Sequence, residues 1–147
     1  MIDDSILVRL LRQYNPWWDA AGARTGAPAM HRQAYDETQR ILMRSNLRRF
    51  AMLIGPRRVG KTTVMEQLID ELLQILYLSF DNPIFSAAGF DRVLQVYEQM
   101  HPVLPGKGMR YYFFDEVQGG RDWSLWIKVL YDTRKDIRLV ATGSASP

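Results

Sequence analysis

Four short apolar runs alternate with longer amphipathic segments over the last two-thirds of the chain. The runs have the length of strands and predict strands over about 49–54, 75–80, 110–114 and 137–142. Between them, apolar residues recur at the spacing of helices over about 62–74, 90–100 and 123–133. Strands that alternate with helices predict a three-layer α/β fold, with one parallel sheet and helices on both faces.

The first 48 residues lack such strands and predict a helical leader. An apolar stripe at Ile6, Leu7, Leu10 and Leu11 predicts a helix that Asp3 or Asp4 caps and that ends near residue 13. A second helix is predicted over 30–44, with these residues inward: Ala34, Thr38, Ile41 and Leu42. The small residues 20–29 between the helices predict a flexible linker.

Trp17 and Trp18 follow the break that Asn15-Pro16 makes after the first predicted helix. Adjacent exposed tryptophans are unusual, so we expect both to pack against the rest of the chain or against a partner. Stacking on a cofactor or a base is the alternative function for this pair.

A glycine-rich stretch stands between the first predicted strand and the helix after it. Residues 55–63 read Gly-Pro-Arg-Arg-Val-Gly-Lys-Thr-Thr and fit G-x-x-x-x-G-K-[ST], the phosphate-binding P-loop. A strand before this motif and a helix after it are the context that the motif requires. We therefore predict a nucleotide-binding loop formed by Gly55, Pro56, Arg57, Arg58, Val59, Gly60, Lys61, Thr62 and Thr63.

The residue types in this loop have physical reasons. Gly55 and Gly60 allow backbone angles that aim successive N–H groups at an anion, and the following helix adds the positive end of its dipole. Lys61 is predicted to reach the β- and γ-phosphates, and the Thr62 hydroxyl to ligate Mg²⁺. Three residues are expected to point to solvent or to lie in the first helical turn: Arg57, Arg58 and Thr63.

A second motif ends the third predicted strand. Residues 111–116 read Tyr-Tyr-Phe-Phe-Asp-Glu, which places two acids directly after four aromatic residues. Four aromatics in a row suit a central strand that is covered on both faces. We predict that Asp115 holds Mg²⁺, directly or through water, and that Glu116 orients and deprotonates the attacking water. The alternative is that both acids only leave the core and cap the next turn.

The fourth predicted strand ends in Thr-Gly-Ser-Ala-Ser at residues 142–146. The carboxyl end of this strand is expected between the two motifs, where a polar side chain can bond the γ-phosphate or the attacking water. We favour Ser144 for this role, with Thr142 as its competitor and a plain Gly-Ser turn as the structural alternative.

Composition and charge narrow the class of protein. The chain has 147 residues, 47% of them apolar, and no cysteine, which suits one domain without disulfides or thiolate metal sites. It contains neither a signal-peptide pattern nor an apolar run of the roughly 20 residues that span a bilayer, so we expect a cytoplasmic protein without a membrane partner.

The net charge of +3 arises in residues 1–49, which hold eight arginines and five acids, whereas the rest is balanced. This excess permits a nucleic-acid partner, although the dispersed arginines favour a solvated surface.

The two motifs and three further segments together resemble a group of prokaryotic AAA-type ATPases that carry an uncharacterised, nuclease-like domain after the ATPase domain. The further segments are Tyr-Leu-Ser-Phe-Asp at 77–81, Trp-x-x-x-x-Lys-x-Leu-Tyr-Asp at 123–132 and Ala-Thr-Gly-Ser-Ala-Ser at 141–146. The resemblance covers about residues 32–146. It implies an additional-strand P-loop fold that binds ATP and Mg²⁺, with Lys61 and Thr62 at the phosphates and metal, Asp115 on the metal, Glu116 as the base and a sensor within 142–144.

Proteins of this group continue past the sensor strand with another strand, a lid subdomain and an arginine finger, whereas this chain stops at Pro147. We therefore expect an incomplete ATPase core over 49–147 behind the leader 1–48, as a truncation, an excised piece or part of a split gene. The predicted function is Mg²⁺-dependent ATP hydrolysis, with a C-terminal domain, another protein or an oligomer as partner. The alternatives are a nucleotide switch that does not hydrolyse ATP and a nucleic-acid-associated regulatory module.

Overall fold

The computed structural model describes residues 2–19, 25–44, 50–55, 60–102 and 108–144. Its strands are β1 (Phe50–Gly55), β2 (Ile75–Ser79), β3 (Arg110–Asp115) and β4 (Ile137–Ser144). Its helices are α1 (Asp4–Tyr14), α2 (Gln33–Arg44), α3 (Lys61–Ile69), α4 (Pro83–Ala88), α5 (Phe90–Met100) and α6 (Trp123–Thr133). The strands form one parallel sheet in the order β1-β4-β3-β2, which confirms the predicted α/β class and the P-loop type of sheet.

Two apolar clusters cover the two faces of the sheet and make three layers. Successive residues of a strand point to opposite faces. Accordingly, Tyr112 and Phe114 pack with residues of α1, α4, α5 and α6, whereas Phe113 packs with residues of α2 and α3. All three aromatic side chains are fully buried, as a central strand between two helical layers requires.

The segment after α1 holds the outer edge of β2. The Asn15 side chain donates to the carbonyl oxygen of Tyr77 (2.8 Å) and accepts from its N–H (2.6 Å). Trp18 donates from Nε1 to the carbonyl of Ile75 (2.7 Å) and stacks on Tyr97 at 5.4 Å between ring centroids. The prediction that the tryptophan pair packs against the core is confirmed, because Trp17 lies against the other apolar cluster.

Two predicted helices have other boundaries in the structure. The helix that follows β1 ends at Ile69 rather than near residue 74, and Leu73, an apolar residue within the predicted range, is 82% exposed. Gln74 takes a left-handed backbone angle (φ 57°), which turns the chain into β2. The second leader helix starts at Gln33 rather than at residue 30.

The side of that leader helix that faces the core also differs from the prediction. Thr38 and Leu42 are buried as predicted, but Ala34 is exposed and the neighbouring Tyr35 is buried instead. The large ring removes more apolar surface from water than an alanine methyl group does.

The helix α4 and the contacts of the linker were not predicted. Asn82 caps α4 through a 2.9 Å bond from the Ile84 N–H to its side chain, and Pro83 at the first position is preorganised for a helix. Within the linker, the part from residue 25 on is bound to α3: Thr25 donates to Asp70 at 2.9 Å. The prediction of flexibility for 20–24 lies outside the described residues.

Candidate functional site

The carboxyl ends of β1, β4 and β3 lie side by side, with β4 in the middle. Gly55 at the end of β1 is paired with Ser144 of β4, and Phe114 of β3 is paired with Ala141. The residues that follow β1 and β3 therefore reach the end of β4 from its two sides. Ligand sites of parallel α/β folds form at this edge of the sheet.

The start of α3 depends on Gly60, which lies before its first residue. The glycine has a left-handed backbone (φ 92°), and a Cβ there would lie 2.8 Å from Nη1 of Arg32. The backbone conformation therefore favours glycine at this position, whereas the flexible end of the Arg32 side chain could move away from a Cβ. Thr63 lies half-buried in the first turn of α3. The other predicted loop residues, Pro56, Arg57, Arg58 and Val59, lie outside the described residues.

Lys61 connects the ends of β1 and β4. Its Nζ donates to the carbonyl oxygens of Gly55 (2.6 Å) and Gly143 (2.7 Å), and to the Ser144 hydroxyl (3.2 Å). These three bonds match the three donors of an ammonium group. The positive charge is thus held at the place where the two strands end, beside a serine that the sequence predicted for the same site.

Asp115 is buried and accepts hydrogen bonds from three hydroxyl groups. Thr62 donates to Oδ2 at 2.9 Å and Tyr77 donates to the same oxygen at 2.8 Å. Thr142 donates to the other oxygen, Oδ1. The carboxylate thereby connects the first turn of α3 with β2 and β4, and its buried charge is stabilised by hydroxyl dipoles.

Glu116 directs its side chain towards Ser144. Its backbone is left-handed (φ 51°), and its N–H donates to Thr142 Oγ1 at 3.0 Å. Both carboxylate oxygens lie 2.9 Å from the Ser144 hydroxyl. Because Ser144 also accepts from Lys61, the predicted base and the predicted phosphate-binding lysine share one serine.

Two ionisable groups near Asp115 have shifted pKa values. Burial first, and then the charge and hydrogen bond of Asp115, raise the pKa of Tyr77, so the phenol keeps its proton and acts as a donor. Burial also raises the pKa of Glu66 on α3, with further contributions from the carboxylates of Asp70 and Asp115.

The donor set at this edge fits Mg²⁺. Thr62 and Asp115 offer hydroxyl and carboxylate oxygens, and Mg²⁺ prefers oxygen ligands from one or two protein groups together with substrate phosphates. Within the described ranges, no group of three or more His, Cys, Asp or Glu side chains could hold a metal ion. The residues therefore suit a metal that arrives with a phosphate ligand rather than a metal in an all-protein cage.

Of the predicted site residues, the structure brings together Lys61, Thr62, Asp115, Glu116 and Ser144. Tyr77 was not predicted to belong to this group. It lies in the middle of β2 rather than at its end, and the apolar pattern there indicated only a buried strand. A hydroxyl among apolar neighbours was the one available signal.

Comparison with known proteins gives three findings. A family model described as "AAA domain" matches residues 47–147. The uncharacterised protein MJ1637 of Methanocaldococcus jannaschii is 31% identical over 101 residues, which are 65% of this chain and 21% of that protein. A katanin structure, solved in work on katanin self-assembly, has a TM-score of 0.60 at 16% identity and covers 98% of this chain and 54% of the katanin chain.

The chain thus spans about a fifth of MJ1637 and about half of the katanin chain. The likeness to katanin, at 16% identity, concerns the fold. Nowhere in the described part of the chain is a helix both long and apolar enough to cross a membrane.

Proposed function

The chain belongs to the family of AAA domains, which are ATP-binding P-loop domains, and from this membership we propose that it hydrolyses ATP with Mg²⁺ at the carboxyl edge of its sheet. The observation that carries the proposal is the pair of contacts made by neighbouring residues of α3. Lys61 contacts Ser144, and Thr62 contacts Asp115. A lysine, a hydroxyl and a carboxylate in this arrangement are the groups that phosphoryl transfer requires.

In the proposed reaction each of these residues has one task. Lys61 holds the β- and γ-phosphate oxygens through its ammonium group, and Thr62 and Asp115 hold Mg²⁺. The chemistry that Mg²⁺ supplies when bound is the neutralisation of charge on the phosphate oxygens. Glu116 orients the attacking water and accepts its proton at a carboxylate oxygen. Ser144 has one hydroxyl proton, which it donates either to Glu116 or to the γ-phosphate or the water.

A nucleotide switch without turnover is the second candidate. The observation that favours it is the position of the Ser144 hydroxyl, 2.9 Å from both carboxylate oxygens of Glu116. This hydroxyl takes up part of the acceptor capacity of Glu116 and so competes with a water for the carboxylate. In this second proposal the chain binds ATP, and hydrolysis does not follow unless a further group, such as an arginine from a second AAA subunit, changes the contact.

The first experiment is calorimetry of ATP binding to the 147-residue chain with Mg²⁺ present. We expect binding by the wild type and none by Lys61→Ala. The matched control is Lys135→Ala, which removes an exposed lysine just before β4 begins, at the opposite edge of the sheet. Equal binding by the wild type and Lys61→Ala contradicts the proposed site. Phosphate release by the wild type that Glu116→Gln abolishes supports hydrolysis over the switch.

A further inference from the structure

A tyrosine from a strand without any predicted site residue contacts the carboxylate that we assign to the metal. The Tyr77 hydroxyl donates to Asp115 Oδ2 at 2.8 Å, and the same oxygen accepts from Thr62 at 2.9 Å. With Thr142 on Oδ1, hydroxyls occupy three of the roughly four lone-pair positions of a carboxylate. These three hydrogen bonds therefore determine the orientation of the Asp115 carboxylate and which lone pair remains for a metal ion.

The N-terminal segment also contacts Tyr77, whose strand pairs with β3 on its other side. β2 is an outer strand of the described sheet, so its free edge needs partners for its backbone groups. At Tyr77 the Asn15 side chain supplies an acceptor for the backbone N–H, at 2.6 Å, and a donor for the carbonyl, at 2.8 Å. Asn15 is fully buried and also donates to the carbonyl of Leu11 at 2.7 Å, which ties it to the end of α1.

The Tyr77 ring packs against one apolar cluster and borders a cavity. Its side chain lines a cavity of about 290 Å³, together with residues of the N-terminal segment and of α3. The Tyr14 ring stacks on it at 6.2 Å between centroids, which is a loose contact. Hydrogen bonds hold the residue at both ends: its backbone bonds the Asn15 side chain, and its hydroxyl donates to Asp115.

The geometry points to Tyr77 as a positioning residue that orients Asp115 for Mg²⁺ and that Asn15 anchors from the leader. This inference rests on the proposed function, because it assigns a role around the same metal site. Partners that orient a metal-binding carboxylate commonly contribute about 10–100-fold to metal affinity. The role predicts a defect in the metal-dependent part of nucleotide binding and no defect in the metal-independent part.

The test compares ATP binding in EDTA with ATP binding in Mg²⁺ by calorimetry, for the wild type and for Tyr77→Phe. We expect Tyr77→Phe to bind ATP in EDTA as the wild type does. We expect its gain in affinity on addition of Mg²⁺ to be smaller by about 10-fold. The matched control is Tyr111→Phe, which removes a hydroxyl from a half-buried tyrosine at the opposite end of β3. Thermal unfolding of the nucleotide-free proteins shows whether each variant folds.

Four outcomes are distinguishable. A smaller Mg²⁺ gain in Tyr77→Phe but not in Tyr111→Phe supports the inference. Equal Mg²⁺ gains in all three proteins overturn the inference and leave the proposed ATP site intact. A wild type that binds no ATP in either condition overturns the proposed function, and the inference with it. An equal loss of affinity with and without Mg²⁺ in Tyr77→Phe indicates general damage and overturns the positioning role.

Discussion

Thr142 donates a hydrogen bond to Oδ1 of Asp115 and accepts one, at 3.0 Å, from the backbone N–H of Glu116. One hydroxyl of β4 thereby braces both acids at the end of β3. Its side chain is fully buried, whereas Ser144, two residues later, is half-buried and contacts Lys61. The two candidates for the sensor therefore differ in their contacts. Thr142 is buried and bonds Asp115 and the backbone of Glu116, whereas Ser144 contacts Lys61.

Thr142→Val is expected to destabilise the fold. Valine has a similar shape but no hydroxyl, so it leaves a buried carboxylate oxygen and a backbone N–H without this partner. Each such loss costs about 1–3 kcal/mol, and we expect a free energy of unfolding lower by about 2–4 kcal/mol in urea titrations. Thr142→Ser keeps the hydroxyl and is the control. A valine variant as stable as the serine variant contradicts the bracing role.

Glu116→Gln is expected to separate binding from turnover. Glutamine keeps the size of the side chain but cannot accept a proton, and a general base typically contributes about 10²–10⁴-fold to rate. We expect the affinity of Glu116→Gln for ATP to stay within about threefold of the wild-type affinity. We expect its rate of phosphate release to be lower by at least about 100-fold. Release that continues at the wild-type rate would remove Glu116 from the mechanism.

The sequence predicted the sheet well because each strand is a short, mainly apolar run and the helices between them have regular periodicity. The predicted range of α6 is the observed Trp123–Thr133. The predicted end of α3 was wrong because Leu72 and Leu73 continue the apolar pattern beyond the helix. Apolar periodicity alone does not indicate where a helix ends.

Within the site, the sequence predicted residues that belong to motifs and missed residues that tertiary contacts recruit. Lys61 and Asp115 stand in spacings that phosphate chemistry constrains, so pattern alone identifies them. Tyr77 and Asn15 are 62 residues apart, and their pairing arises only when α1 packs along the edge of β2. No local pattern encodes that contact. The metal-binding and catalytic roles of the motif residues stay predictions.

Glu66→Gln is expected to stabilise the protein at neutral pH. Burial raises the pKa of Glu66 in the folded state, so folding opposes its ionised form. Stability linked to its protonated form is complete below the unfolded pKa of about 4.3 and is lost as pH rises through the folded value. Glutamine mimics that form at every pH.

The gain from Glu66→Gln should therefore be largest at pH 7 and should vanish below about pH 4, near the unfolded pKa of glutamate. Urea titrations at several pH values measure it, with Glu37→Gln on the exposed surface of α2 as the control. A gain that is equal for both variants, or that is constant across pH, contradicts the effect of burial on Glu66.

Asn15→Ala is expected to loosen the edge of β2. The variant loses three hydrogen bonds of a fully buried side chain, to Leu11 and to both backbone groups of Tyr77. An unpaired buried backbone group costs about 1–3 kcal/mol, so we expect a free energy of unfolding lower by about 2–5 kcal/mol. Gln13→Ala, at an exposed position of α1, is the control and should change stability by less than about 0.5 kcal/mol.

Hydrogen exchange locates the effect of Asn15→Ala. The Tyr77 N–H bonds the Asn15 side chain in the wild type, so its exchange should accelerate more than that of amides in β4. If Tyr77 and β4 accelerate equally, Asn15 contributes to global stability alone. Faster exchange confined to β2 would instead show that the leader holds this strand locally, which is the condition for its influence on Asp115.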